Sequence, residues 1–219
     1  MKHILLSLIL LCIAVSLHSQ TKQVYDEDFV FTDGLYLNKE MMQKNKPVDK
    51  ARVKSQIDPN DLAFFDYLTQ ENTITLFDEV GNEVTVKTSS LWGYCSGGII
   101  YVYHNGYFNR VGIVGSICHF LGTKTYINSR DPFYGGMYGR YSMYGPAYTT
   151  STEAQQYLLN FETGDILEYN ANNLEQMLMK DPELHDEFAA LKRKKRNAKL
   201  FYYMRKFNEK HPLYIPVYE

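Results

Sequence analysis

The chain has 219 residues, with 23 Lys and Arg against 25 Asp and Glu, 45% hydrophobic and 22% charged. That apolar fraction matches an ordinary folded domain and excludes a collagen-like, coiled-coil or disordered chain. Aromatic residues reach 15%, with 19 Tyr, 12 Phe and one Trp, a tyrosine load common in exported and cell-surface chains. A domain of this size buries about 70% of its unfolded surface and needs no metal or disulfide staple to fold.

The chain opens with Lys2 and His3, a short basic start, and then an apolar run from Ile4 to Val15. The run is too short to span a hydrocarbon core of about 30 Å. Leu17-His18-Ser19 places a small residue before Gln20. These features predict a secretory signal peptide over residues 1–19 and a mature chain, 20–219, exported to the periplasm or cell surface. An uncleaved anchor is the alternative, because Leu17 and His18 make a mediocre cleavage site. Without Lys2 the mature chain has 22 basic and 25 acidic residues, net −3. The charge is lopsided: residues 185–219 hold nine basic and four acidic groups, residues 20–184 hold 13 and 21. A basic tail then faces either an acidic partner or its own acidic body.

In chain order, Thr32-Asp33-Gly34 reads as a turn leading to the apolar Leu35-Tyr36-Leu37. Asn38 caps a short helix from Lys39 to Lys44 that Pro47 ends. Arg52 to Gln56 reads as a short strand. Asp58-Pro59 starts a helix carrying Leu62, Phe65 and Leu68 on one face. From Thr73 the apolar period becomes two: Ile74 and Leu76, a turn over 78–82, then Val84 and Val86, a hairpin. Leu91 to Cys95, Ile99 to Tyr103, Phe108 to Phe120 and Thr123 to Ile127 continue as strands. Asn105-Gly106 is the clearest hairpin turn, since both residues tolerate positive φ. Gly112 and Gly115 inside the longest run predict a bulge or strong curl. Nothing here alternates strand with helix, so the sheet is expected to be antiparallel.

Residues 131–148 interleave Tyr134, Tyr138, Tyr141, Tyr144 and Tyr148 with glycines. This composition predicts a long loop, the least ordered part of the mature chain. Tyr157 to Phe161 and Ile166 to Tyr169 form a further hairpin around Gly164. Asn170 or Asn172 caps a helix through Met179. Asp181-Pro182 starts a long helix, expected to reach about Asn208 before His211-Pro212 stops it. On a wheel of about 100° per residue, Leu184, Phe188 and Leu191 cluster on one side, and Leu200, Met204 and Phe207 on the opposite side. The two halves should therefore bury opposite faces, in two contacts or through a bend near Asn197. The expected class is α+β: one domain with a curled antiparallel meander, short N-terminal helices and a long C-terminal helix.

Candidate chemistry is sparse. Cys95 in Gly-Tyr-Cys-Ser-Gly-Gly, with His104 or His119 as base, is the one nucleophile reading, and it implies a small envelope hydrolase. Cys118 and His119 are consecutive strand residues that point to opposite faces and cannot share a metal ion. The expectation is no metal and no cofactor: there is no C-x-x-C, H-E-x-x-H, phosphate loop or dinucleotide fingerprint. A bond between Cys95 and Cys118 would close a loop of 24 residues. Two outer strands of a meander lie too far apart for one.

Two segments offer binding surface instead. The Tyr/Gly segment supplies rigid amphipathic contact area on an adaptable backbone, suited to a glycan or an envelope protein. The run Lys192-Arg193-Lys194-Lys195-Arg196 covers more than one helical turn, so no face of that turn can be buried. With Phe201, Tyr202, Tyr203 and Phe207 following, the basic helix 192–207 suits a membrane surface. Nucleic acid is not expected as a partner of an exported chain of net −3. Together these point to a non-enzymatic binding or structural module. The membrane-associated and hydrolase readings are alternatives.

Leu91-Trp92-Gly93-Tyr94-Cys95, Phe108-Asn109-Arg110-Val111 and the ending from Met204 to Pro216 resemble a family of uncharacterised exported proteins from Bacteroidetes-type bacteria. The resemblance covers most of the mature chain. It implies an envelope location and supplies no catalytic residue.

Overall fold

Residues 22–129 and 148–217 are described by the computed structural model. The strands are β1 (Lys22–Val24), β2 (Gly34–Tyr36), β3 (Val53–Lys54), β4 (Thr73–Phe77), β5 (Glu83–Lys87), β6 (Gly93–Ser96), β7 (Ile99–His104), β8 (Tyr107–Ile113), β9 (Ile117–Ser129), β10 (Tyr148–Asn160), β11 (Ile166–Glu168) and β12 (Tyr214–Pro216). The helices are α1 (Lys39–Gln43), α2 (Phe64–Leu68), α3 (Ala171–Leu178), α4 (Pro182–Ala189), α5 (Arg193–Ala198) and α6 (Leu200–Lys210). The fold is α+β, built on an antiparallel seven-stranded sheet in the order β11-β10-β9-β8-β7-β6-β2.

The sheet curls as expected. Asn105 and Gly106 take φ values of 53° and 88° and turn β7 into β8. Three strand spacings separate β7 from β10, about 14 Å in a flat sheet. Yet the rings of His104 and Tyr157 meet at 4.6 Å, and the Asn105 amide donates to the Tyr157 hydroxyl at 3.0 Å. A register shift between Val111 and Ile113, around Gly112, supplies the bulge. The apolar run 108–120 is two strands rather than one: it reverses at 114–116 and returns as β9.

Strand alternation sorts the core into three clusters. Tyr36, Cys95, Ile100, Val102, Cys118, Phe120, Tyr157 and Leu159 line one face, closed by Phe31, Met42 and Ile215. On the other face, Ile117 and Leu158 meet the C-terminal helices. Beside them, Leu35 and Tyr94 meet α2 and the separate sheet β3-β4-β5. The hairpin expected from Thr73 to Lys87 thus forms, but as part of this small sheet. Chain ends β1 and β12 pair antiparallel, Gln23 opposite Ile215. Cys95 on β6 and Cys118 on β9 are buried free thiols with two strands between them, not one.

Capping follows the sequence closely. The side chains of Asn38, Asn170 and Asp181 accept from the backbone N–H of Met41, Asn173 and Leu184. Asp58 behaves differently. Its carboxylate accepts from the Asn60 N–H, and Asp61 accepts from the Ala63 N–H, so two local turns consume residues 58–63. The helix begins only at Phe64, and Leu62, expected in the core, is 96% exposed. Strand β10 starts at Tyr148 opposite Ser129, well ahead of the Tyr157 start expected, and residues 149–156 pair with 121–128 of β9.

The long C-terminal helix is three pieces. It interrupts between Ala189 and Arg193 and again at Lys199, where φ is −113° and ψ is 13°. The opposed stripes require the interruptions. Leu184 and Phe188 from α4, and Leu200, Met204 and Phe207 from α6, all reach one cluster, and a straight helix cannot aim both stripes there. The C-terminal end is tied to the sheet by Asn208. Its amide donates to the Ile117 carbonyl at 2.9 Å and its oxygen accepts from the Ile117 N–H at 2.8 Å. Gly115 makes the approach possible, because a Cβ there would lie 2.4 Å from the Asn208 amide nitrogen.

Phe207→Ala is expected to destabilise the fold by about 3 kcal/mol, against under about 0.5 kcal/mol for Lys194→Ala, measured by urea unfolding. Asp181 gives a second expectation. Lys210, the Leu184 N–H and His211 hold its carboxyl well below the usual carboxylate range. A depressed folded pKa contributes stability above the unfolded value of about 3.9, and this is lost as pH falls through the folded one. Acid unfolding of Asp181→Asn should lack that component. Its deficit against the parent should be full near pH 6 and shrink below about pH 4.

Candidate functional site

A cleft of about 500 Å³ opens at the base of the sheet. Seven chain segments meet there: β1, the end of α1, the β8–β9 turn with Ser116 and Ile117, the β10–β11 turn, the end of α3, Phe207 of α6 and residues 212–216. Phe161, Met177 and Phe207 are buried and give it an apolar floor. Lys22, Lys44 and Lys180 stand at its rim. The walls are fixed by hydrogen bonds. The Gln43 amide donates to the Phe161 and Glu162 carbonyls at 2.7 and 2.6 Å, and Ser116 Oγ donates to the His211 carbonyl at 2.6 Å. Lys180 pairs with Glu162 at 2.5 Å, which lowers the Glu162 pKa through the hydrogen bond and the charge. Lys22 and Lys44 have no ion-pair partner among the described residues, so the rim has an excess of positive charge.

The lining is chemically quiet. Glu162 is committed to Lys180 and the Ser116 hydroxyl to a carbonyl, and neither His nor Cys lines the cleft. No base stands beside a nucleophile there. An apolar floor under unpaired ammonium groups suits retention of a ligand that is apolar in body and anionic at one end.

Cys95, His104 and His119 do not converge. Cys95 and His104 lie on the face of the Phe120 and Tyr157 rings, but His119 points to the opposite face, against Tyr169 and Phe201. Burial, then the Asp33 carboxylate, pushes the Cys95 thiol up to about 12. Burial also pushes Cys118 up to about 12. Desolvation lowers the pKa of both His104 and His119. Buried thiols with raised pKa values are packing groups, not nucleophiles. Among the described residues, no three His, Cys, Asp or Glu side chains gather as a metal site.

The basic run lies on the surface. Lys192, Arg193, Lys194 and Lys195 are exposed, and Arg196 pairs with Glu175 on α3 at 2.5 Å. Tyr134, Tyr138, Tyr141 and Tyr144 lie outside the described residues, and Tyr148 opens β10 opposite Ser129. The cleft was not legible in the sequence. Lys22, Gln43, Ser116, Lys180 and Phe207 come from distant segments with no shared spacing. Only the capped ends of α1 and α3 hint that Lys44 and Lys180 flank a boundary.

Fold and cleft together define an α+β protein on a curled antiparallel sheet, with a cleft at its base. The chain belongs to a family of unknown function (DUF6563), whose match spans residues 34–211, from β2 to just past α6. No curated protein and no solved structure matches it.

The thiol environment gives a direct expectation. Neither Cys95 nor Cys118 should react with a thiol reagent in the folded protein at pH 8, and both should react in urea. Fast labelling of Cys95 in the native state would reinstate a reactive thiol.

Proposed function

We propose that the mature chain is an exported, non-enzymatic envelope protein that binds a small organic anion with an apolar body in the basal cleft. The observation that carries this reading is the cleft itself: a buried apolar floor, the unpaired cations Lys22 and Lys44 at the rim, and no nucleophile beside a base in its lining. Export is supported by the basic start and short apolar run ahead of Gln20, and by the resemblance to exported Bacteroidetes-type proteins. The hydrolase alternative loses support: His119 lies on the opposite face of the sheet, and the buried Cys95 thiol is hydrogen-bonded to the Phe31 carbonyl and Asp33 rather than to His104.

Two measurements test the proposal. N-terminal sequencing of envelope material should begin at Gln20, and material beginning at Met1 would overturn removal of the leader. Octanoate should raise the melting temperature of the mature protein in a concentration-dependent way, while octanol, with the same tail and no charge, should not. Lys44→Glu should abolish the octanoate shift without lowering the ligand-free melting temperature. Equal shifts with octanoate and octanol, or none with either, would overturn the anion assignment.

A further inference from the structure

The stretch from Lys192 to Lys199 holds six cations and no acid. The structure turns most of it into a separate helix, α5, that buries no side chain. Arg196 is neutralised by Glu175. Lys199 lies over the Tyr202 ring at 5.3 Å. Lys192, Arg193, Lys194 and Lys195 are exposed and have no ion-pair partner among the described residues. They add nothing to the core, and their mutual repulsion opposes folding.

The first turn of α6 stands beside this collar. Phe201 is 39% exposed and Tyr202 53% exposed. The Phe201 ring rests on His119 and Tyr169 at 4.9 Å, so it is held in place while part of it faces water. Free cations followed at once by two exposed aromatic rings match the layering of a bilayer interface. Lys and Arg reach the phosphates, and aromatic rings sit at headgroup depth. The collar rests on α3 through Arg196 and exposes Lys192, Arg193, Lys194 and Lys195 around the rest of the turn, with no aromatic ring among them on which a nucleic-acid base could stack. The acidic residues that make 20–184 net negative are largely screened beyond about 8 Å at physiological salt.

We infer that the α5 collar, with Phe201 and Tyr202, is a docking surface for anionic phospholipid headgroups, holding the protein on a bilayer as a peripheral component. This is independent of the cleft and of its ligand.

The test is co-sedimentation of the mature chain with phosphatidylcholine vesicles, with and without phosphatidylglycerol. Binding is expected only with phosphatidylglycerol and should be reversed by high salt. Lys194→Ala with Lys195→Ala should lower the partition coefficient by roughly 10- to 30-fold. The same double variant should unfold at or slightly above the parent's melting temperature, because neither side chain is buried and two repelling charges are gone. Four results would overturn the inference: no binding to phosphatidylglycerol vesicles, equal binding to phosphatidylcholine alone, unchanged partition of the double variant, or tighter binding to a single-stranded oligonucleotide than to vesicles.

Discussion

The fold depends on the contact between Asn208 and Ile117. Strand β8 turns away at its bulge, and Ile117, which pairs with Asn160 on one side, meets a side chain on the other. The Asn208 amide takes the place of a strand residue, donating and accepting at once. That bidentate contact sets the depth and angle of α6 against the sheet. Gly115 is the steric condition for it, and Ser116 extends it by donating to His211. The placement of α6 in turn sets the Phe207 floor of the cleft, the path of residues 212–216 along its wall, and the direction in which α5 leaves the core.

The interruptions of the C-terminal helix have the same origin. Apolar residues on opposed sides of a continuous helix would leave one stripe in water, at about 2–3 kcal/mol for each large side chain. Breaking the helix at Lys199 costs a few intrahelical hydrogen bonds, which water can replace at an exposed turn. Burial wins, and the cationic segment is left outside because no rotation of it hides a hydrophobic face. Asp181, at the start of α4, then grips Lys210 and His211 at the end of α6, which closes the helical unit on itself.

Much of this was readable in advance, and for physical reasons. Asn38, Asn170 and Asp181 cap as their side-chain chemistry demands. Asn105-Gly106 turns where positive φ is cheap, and the opposed stripes of residues 184–207 required a bend. The failures are equally specific. At Asp58 and Asp61 the same capping chemistry serves local turns, and only the tertiary position of Phe64 and Phe65 in the core decides where the helix begins. Residues 108–120 carry apolar side chains through a reversal, so periodicity hides the turn. The cleft is assembled from seven segments, and no local pattern can announce a surface that exists only after all of them have met.

The pairing of β1 with β12 brings together the first and last strands of the described chain, Lys22 opposite Pro216. Any strand made early must wait for its partner, and here the wait spans the described chain. Ile215 belongs to the same core cluster as Cys95 and Phe120, so that face of the sheet stays open until β12 arrives. Closing so long a loop is slow. A chain arranged this way reaches its final form only after β12 has been made and has found β1.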